Sequence, residues 1–193
     1  MYLFFDTETT GLPEDYQAPL DDFLNWPRLV QIAWSWYDET GEPWESCSFI
    51  IKPEGFVIPS EVVKIHRISQ ARALKEGVFL RPTLERFLNA VNEANYLVAH
   101  NIDFDLKVIG AELLREKLAN PLASRKQLCT MRAGADVCQL DNGRGGYKWP
   151  SLTELHRCLF AANFSEAHDA VFDVKACAAC FFALKNKGAF KAF

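Results

Sequence analysis

Residues 2–12, YLFFDTETTGL, decide how this chain is built. Tyr2–Phe5 is a short aromatic-rich apolar run that ends at Asp6 and a Thr-Thr-Gly turn signal, the pattern of a buried strand. Side chains at i and i+2 of a strand share a face, so Asp6 and Glu8 stand side by side, roughly 7 Å apart at the backbone. Like charges so placed raise each other's pKa and repel unless something neutralises them. A hard divalent cation does so, because Mg2+ and Mn2+ prefer carboxylate oxygens. A bare D-x-E also fits a solvated acidic turn, so this pair alone leaves both readings open.

Outward from this strand, Arg28–Tyr37 and Ser46–Ile51 read as two more strands. The polar Asp38–Glu42 stretch with Gly41 suits a hairpin, which makes an antiparallel meander. Residues 13–27 (PEDYQAPLDDFLNWP) hold three prolines and four acids and read as a loop insertion. Helical spacing follows over Ser60–Ile68 and Pro82–Glu93, then a short strand at Asn95–Ala99. Phe104–Leu118 predicts an amphipathic helix that Pro121 stops. Glycines at 143, 145 and 146 mark 136–149 as a flexible loop. Ser151 and Glu154 form a capping-box start for a helix to about Ala162, and a last helix runs from about Asp169 to Lys185. This order predicts a single α/β domain over residues 1–193, a mixed sheet with helices packed on it.

Composition bounds the function. With 193 residues, 49% apolar and 13% aromatic, the chain has ample material for one core, which excludes a disordered or disulfide-stapled protein. The net charge of −4 argues against a nucleic-acid binder until its distribution is considered. Residues 1–50 carry ten acids and one base, Arg28, whereas residues 51–193 carry a net +5. Six scattered cysteines, no basic leader and no apolar stretch of membrane-spanning length predict a soluble cytoplasmic protein with reduced thiols. Cys177 and Cys180, set in a helix among Ala and Phe, read as small buried hydrophobes, and the five tryptophans as core and rim packing.

Two later segments carry acids at strand–helix junctions, where α/β sheets place their sites. His100-Asn101-Ile102-Asp103-Phe104-Asp105 follows the strand at 95–99 and puts Asp105 in the first turn of the next helix. Simple helix capping by Asp103 or Asp105 suits that segment equally well. With Asp169 as N-cap of the last helix, His168 stands just outside it and Asp173 one turn inside. An imidazole there can take a proton near neutral pH, although a surface histidine beside a capping acid is the plainer outcome.

Taken together and in order, FDTETTGL (5–12), HN-x-x-FD (100–105) and H-x-A-x-x-D (168–173) resemble the DEDDh family of 3′→5′ exonucleases, typified by the proofreading subunit of bacterial replicative polymerase. KWPSLTEL (148–155) is similar to the family's segment before its penultimate helix. The resemblance implies a ribonuclease-H-like fold: a mixed five-stranded sheet, antiparallel meander plus parallel strands, flanked by helices. It also implies that Asp6, Glu8, Asp105 and Asp173 bind two divalent cations, Mg2+ or Mn2+, with His168 as general base. Two such metals roughly 3.5–4 Å apart activate the attacking water and stabilise the leaving 3′-oxygen. Thr9, Gly11, Leu12 and Phe104 are implied to grip the terminal nucleotide, Asn101 to orient Asp105 or the terminal sugar, and His66 to lie near the substrate; His66 on an apolar helix is as readily a packing residue.

Asp103 departs from the small residue usual in the family and is either a solvent-facing cap or a perturbation of the metals. Arg144 and Lys148 of the 136–149 loop are candidate phosphate contacts, although a solvated loop is the commoner outcome. The implied partner is a nucleic-acid 3′ end, single-stranded DNA or RNA, with no membrane and with a polymerase or repair protein not identifiable from these residues. The expected activity is release of nucleoside monophosphates in proofreading, repair or end-trimming. The alternatives are an exoribonuclease or oligoribonuclease on the same scaffold, a non-catalytic nucleic-acid-binding module, and a ribonuclease-H-type endonuclease.

Overall fold

In the computed structural model, which describes residues 1–162 and 169–190, one five-stranded mixed sheet organises the chain. Strand β1 (Tyr2–Thr9) pairs antiparallel with β2 (Leu29–Tyr37), and β2 antiparallel with β3 (Pro43–Ile50). Beyond β3 come α1 (Ser60–His66), α2 (Gln70–Glu76) and α3 (Leu80–Glu93). On its other side β1 pairs parallel with β4 (Tyr96–Ala99), which leads into α4 (Ile102–Arg115) and pairs parallel with β5 (Lys126–Cys129). Three helices complete the described residues: α5 (Thr130–Cys138), α6 (Leu152–Phe160) and α7 (Ala170–Asn186). The spatial order β3-β2-β1-β4-β5 puts β1 at the centre of the sheet.

The period of two along β1 sorts its residues into two cores. Leu3 and Phe5 face the layer of α3 and α4, packed with Leu84, Phe87, Val108, Ile109 and Leu113. Tyr2 and Phe4 face α7, where Phe4 meets the Phe181 ring edge-on at 5.3 Å between centroids. All nine residues of β2 are buried, so its polar members need partners: Gln31 donates to Ser48 Oγ at 3.1 Å and Ser35 to the Glu45 carbonyl at 2.9 Å. Helix α7 is apolar on most sides because it is sandwiched, with Cys177 against the sheet and Cys180 against Leu155 of α6.

The 13–27 insertion closes on itself and then on α4. Thr10 N–H donates to the Arg28 carbonyl and Arg28 N–H to Thr10 Oγ1, each at 2.9 Å, so the two ends of the insertion meet. Trp26 is buried, and Arg115 donates to the carbonyls of Phe23 and Trp26 at 3.0 and 2.8 Å. Beneath it lies Glu112, fully buried, whose Oε1 accepts from Leu29 N–H and Arg28 Nε at 2.9 Å and pairs with Arg115 Nη1 at 3.3 Å.

Three features differ from the sequence reading. Strand β5 and helix α5 lie in a stretch read without elements, and α5 takes residues 130–138, so the connection to α6 begins at 139 rather than 136. KQLC has two apolar residues at one end and no alternation, which leaves no period to detect. Helix α5 carries Gly134 at its centre, a weak helix former kept because a Cβ there would sit 2.7 Å from Leu155 Cδ1. The first strand also runs on through Asp6 and Glu8 to Thr9, so both acids are strand residues. Short α2 was likewise unread.

Candidate active site

At the C-terminal end of β1 the α4 and α7 layers meet over an open cleft of about 550 Å³. Asp6 and Glu8 project from the α7 side of β1, and Asp173 comes down from the first turn of α7. Carboxylate oxygens of these three residues lie within 4.8 Å of one another. Asp105 enters from the opposite layer, in the first turn of α4, and is 3% exposed. Its Oδ1 accepts from Thr7 N–H at 3.1 Å and from Thr7 Oγ1 at 2.6 Å. The same alternation that sends Asp6 and Glu8 one way sends Thr7 the other, where it fixes Asp105.

Crowding these acids costs ionisation. Burial pushes the Asp6 carboxyl well above the usual range, and the charges of Asp105, Asp173, Glu8 and Asp169 push it further. Glu8 rises to about 8, from burial first and then the Asp173, Asp105 and Asp169 charges. Asp105 rises to about 7 through burial, against the lowering effect of its Thr7 hydrogen bonds. Oxygen donors from both layers, with Asp6, Glu8 and Asp105 penalised by burial and by neighbouring acids, fit a hard divalent cation.

The sign of the pH effect follows. A carboxyl whose pKa is raised by folding binds its proton more tightly in the folded state, so its contribution is full below the unfolded value and lost as pH rises through the folded one. For Glu8 that window runs from its ordinary 4.5 to about 8. With EDTA present, the melting temperature of the protein should therefore fall between pH 5 and pH 8, and Glu8→Gln should flatten that slope. Mg2+ should reverse it, because the cation selects the ionised carboxylates. A flat EDTA profile in the wild type, or an unchanged slope in Glu8→Gln, would contradict this electrostatic picture.

The other expected site residues divide. Asn101 and Phe104 line the cleft. Asn101 is the N-cap of α4 with a left-handed backbone (φ 62°, ψ 44°), a conformation asparagine tolerates, and it makes no capping side-chain bond. Thr9, Gly11, Leu12 and His66 are not among the described residues lining the cleft. Thr9 Oγ1 donates to the Gly11 carbonyl at 2.6 Å, while Leu12 is 73% exposed on the adjoining loop. His66 is buried: its Nδ1 accepts from Ile68 N–H at 3.1 Å, and burial lowers its pKa against the opposing pull of the nearby Thr9 backbone. His168 lies outside the described residues. Asp103 points to solvent and forms an exposed ion pair with Arg132 of α5; pairs of that kind contribute at most about 1 kcal/mol.

Sequence reasoning passed over three contributors. Thr7 carried no motif of its own. His100 is half-buried and holds two segments: Nε2 donates to the Pro150 carbonyl and Nδ1 accepts from Thr130 Oγ1, both at 3.0 Å. Since a carbonyl only accepts, the proton sits on Nε2. Burial lowers its pKa to about 4, so the ring stays neutral as a brace. Trp149, assigned to packing, lines the cleft and is 62% exposed. Its place within the KWPSL segment was the signal available for it.

Comparison with known proteins gives the family and the fold. A family model, RNase_T (exonuclease), matches residues 3–181. No curated protein matches the chain significantly. Among solved structures the chain is similar to E. coli exonuclease I in a zinc-ion-bound complex with ssDNA, at 22% identity and a TM-score of 0.72. It is also similar to E. coli exonuclease I bound to a 5cy-dT13 oligonucleotide (20%, 0.75) and to exonuclease I from Methylocaldum szegediense (20%, 0.72). Each alignment covers 96% of this chain and 40% of the other, so the chain spans less than half the length of these proteins. At such identities the likeness carries the fold, the ribonuclease-H-like sheet flanked by helices. Because the family model spans nearly the whole chain, this protein belongs to the RNase_T exonuclease family.

Proposed function

We propose that this protein is a metal-dependent 3′→5′ exonuclease that removes nucleoside monophosphates from single-stranded or frayed DNA 3′ ends. The observation that carries this reading is the convergence of Asp6, Glu8 and Asp173 with Thr7-held Asp105 at one open cleft, in a member of an exonuclease family. Asp6, Glu8, Asp105 and Asp173 would hold two divalent cations, Mg2+ or Mn2+. When bound, such a pair activates water and stabilises the charge that develops on the leaving oxygen. His168 accepts the proton of the attacking water as the water oxygen bonds to phosphorus; the bond between phosphorus and the 3′-oxygen breaks, and that oxygen takes up a proton. Asn101 and Phe104 position the end of the strand from the α4 side of the cleft. Thr9, Gly11 and Leu12 meet it where the strand enters. The exonuclease I structures solved with DNA oligonucleotides support single-stranded DNA as substrate.

The test is a digestion time course on matched DNA and RNA oligomers labelled at the 5′ end, with Mg2+ or Mn2+ and with EDTA. A ladder shortening from the 3′ end of DNA, abolished by EDTA, is expected. Preference for RNA would move the assignment to an exoribonuclease, and internal cuts to an endonuclease. No cleavage of either polymer would leave a binding module and overturn the proposal.

A further inference from the structure

Of the five tryptophans, Trp26, Trp34 and Trp36 are buried and Trp44 packs edge-on against Trp36 at 6.0 Å. Trp149 is different. It is 62% exposed on the wall of the cleft that holds the acids, and among the described residues its ring makes neither a ring–ring contact nor a side-chain hydrogen bond. Its backbone is nevertheless tied on both sides. Lys148 N–H donates to the Leu140 carbonyl at 2.8 Å, and Lys148 Nζ pairs with Glu154. Pro150 is buried, takes the hydrogen bond from His100 Nε2, and lies against Gly134 of α5. Ser151 then caps α6, with Ser151 Oγ accepting from Glu154 N–H and Glu154 accepting in return from Ser151 N–H. A large apolar ring is thus held at a fixed place facing water, without contributing to the core.

Such a ring suits one class of ligand. Every nucleobase has an apolar π-face, and an indole is the largest side chain that can stack on it. A paired, stacked base within a duplex cannot offer that face, whereas an unpaired base at a strand end can. Phe104 and Met131 line the same cleft, so the acids sit between apolar surfaces. Resting on the nuclease reading above, we propose that Trp149 is the stacking platform for an unpaired nucleobase at the strand end, and that it makes the enzyme favour single-stranded over paired ends. His100 and Pro150 act as positioning residues for this platform.

The experiment compares wild type, Trp149→Ala and Trp149→Phe on a single-stranded oligonucleotide and on the same strand made abasic at its three 3′-terminal positions. With the normal strand, Trp149→Ala should raise KM about 10- to 100-fold, the range expected for one lost base stack. Trp149→Phe should recover most of the loss. On the abasic strand, wild type and Trp149→Ala should have the same KM, and wild type and Trp149→Phe, but not Trp149→Ala, should lose affinity on going from the normal strand to the abasic one. Equal KM for all three proteins on the normal strand overturns the platform, as does an unchanged Trp149→Ala penalty on the abasic one. Wild-type activity in those assays keeps such a failure separate from failure of the nuclease assignment.

Discussion

Asp6→Asn is expected to abolish hydrolysis without harming the fold. The substitution keeps the side-chain volume and removes one of the carboxylates that converge at the end of β1. Losing several kcal/mol of charge stabilisation in the transition state lowers the rate on the order of 10³-fold or more. Stability should move differently. Because the Asp6 carboxyl is burdened by burial and by Asp105, Asp173 and Glu8, the neutral amide relieves repulsion, and the melting temperature in EDTA at pH 8 should not fall. Wild type, in contrast, should gain about 2.7 kcal/mol from a cation at 100 times its dissociation constant, and the variant should lose that gain. Activity assays and thermal melts with and without Mg2+ read both quantities. A variant that melts far below wild type in EDTA would make Asp6 a structural residue; one that retains full activity would remove it from the chemistry.

Glu112→Leu should be the most destabilising single change outside the site. Glu112 is fully buried and is the shared acceptor for Arg28, Arg115 and the Leu29 N–H. Leucine leaves two partly buried guanidiniums without their counter-charge and one buried N–H without its acceptor. Removing one partner from such a cluster costs about 3–5 kcal/mol, which for a chain of this size lowers the melting temperature by about 10 °C. Glu112→Gln retains an acceptor for Leu29 and should fall between the two. Urea midpoints with an unchanged m-value would locate the effect in the folded state. A leucine variant as stable as wild type would mean that the arginines find water once the acid is gone.

Much of the fold was legible because long, strongly patterned segments made it. The alternation around Asp6 and Glu8, the apolar run of β2 and the stripe of α4 each announced an element and its face. What stayed hidden was short or locally unfavourable: β5 has four residues, and α5 has a glycine whose reason is Leu155, a leucine 21 positions downstream. The acids at the site were singled out by the resemblance of three ordered motifs, because residue type and spacing alone fitted a solvated turn or helix caps as well. Their supports were not. Thr7, His100 and Glu112 act through partners 30 to 98 positions away, and a local pattern carries no trace of such contacts.

The way β1 divides its side chains also has a temporal meaning. Asp6 and Glu8 are made early, Asp105 midway, and Asp173 arrives only with α7, after every strand of the sheet. Parallel pairing of β1 with β4 spans more than ninety residues, and docking of α7 on Phe4 spans more still, so these contacts form late and slowly. During synthesis the amino-terminal acids therefore exist without their counterpart until α7 emerges. Docking of α7 is thus the step that brings the four acids into one cleft.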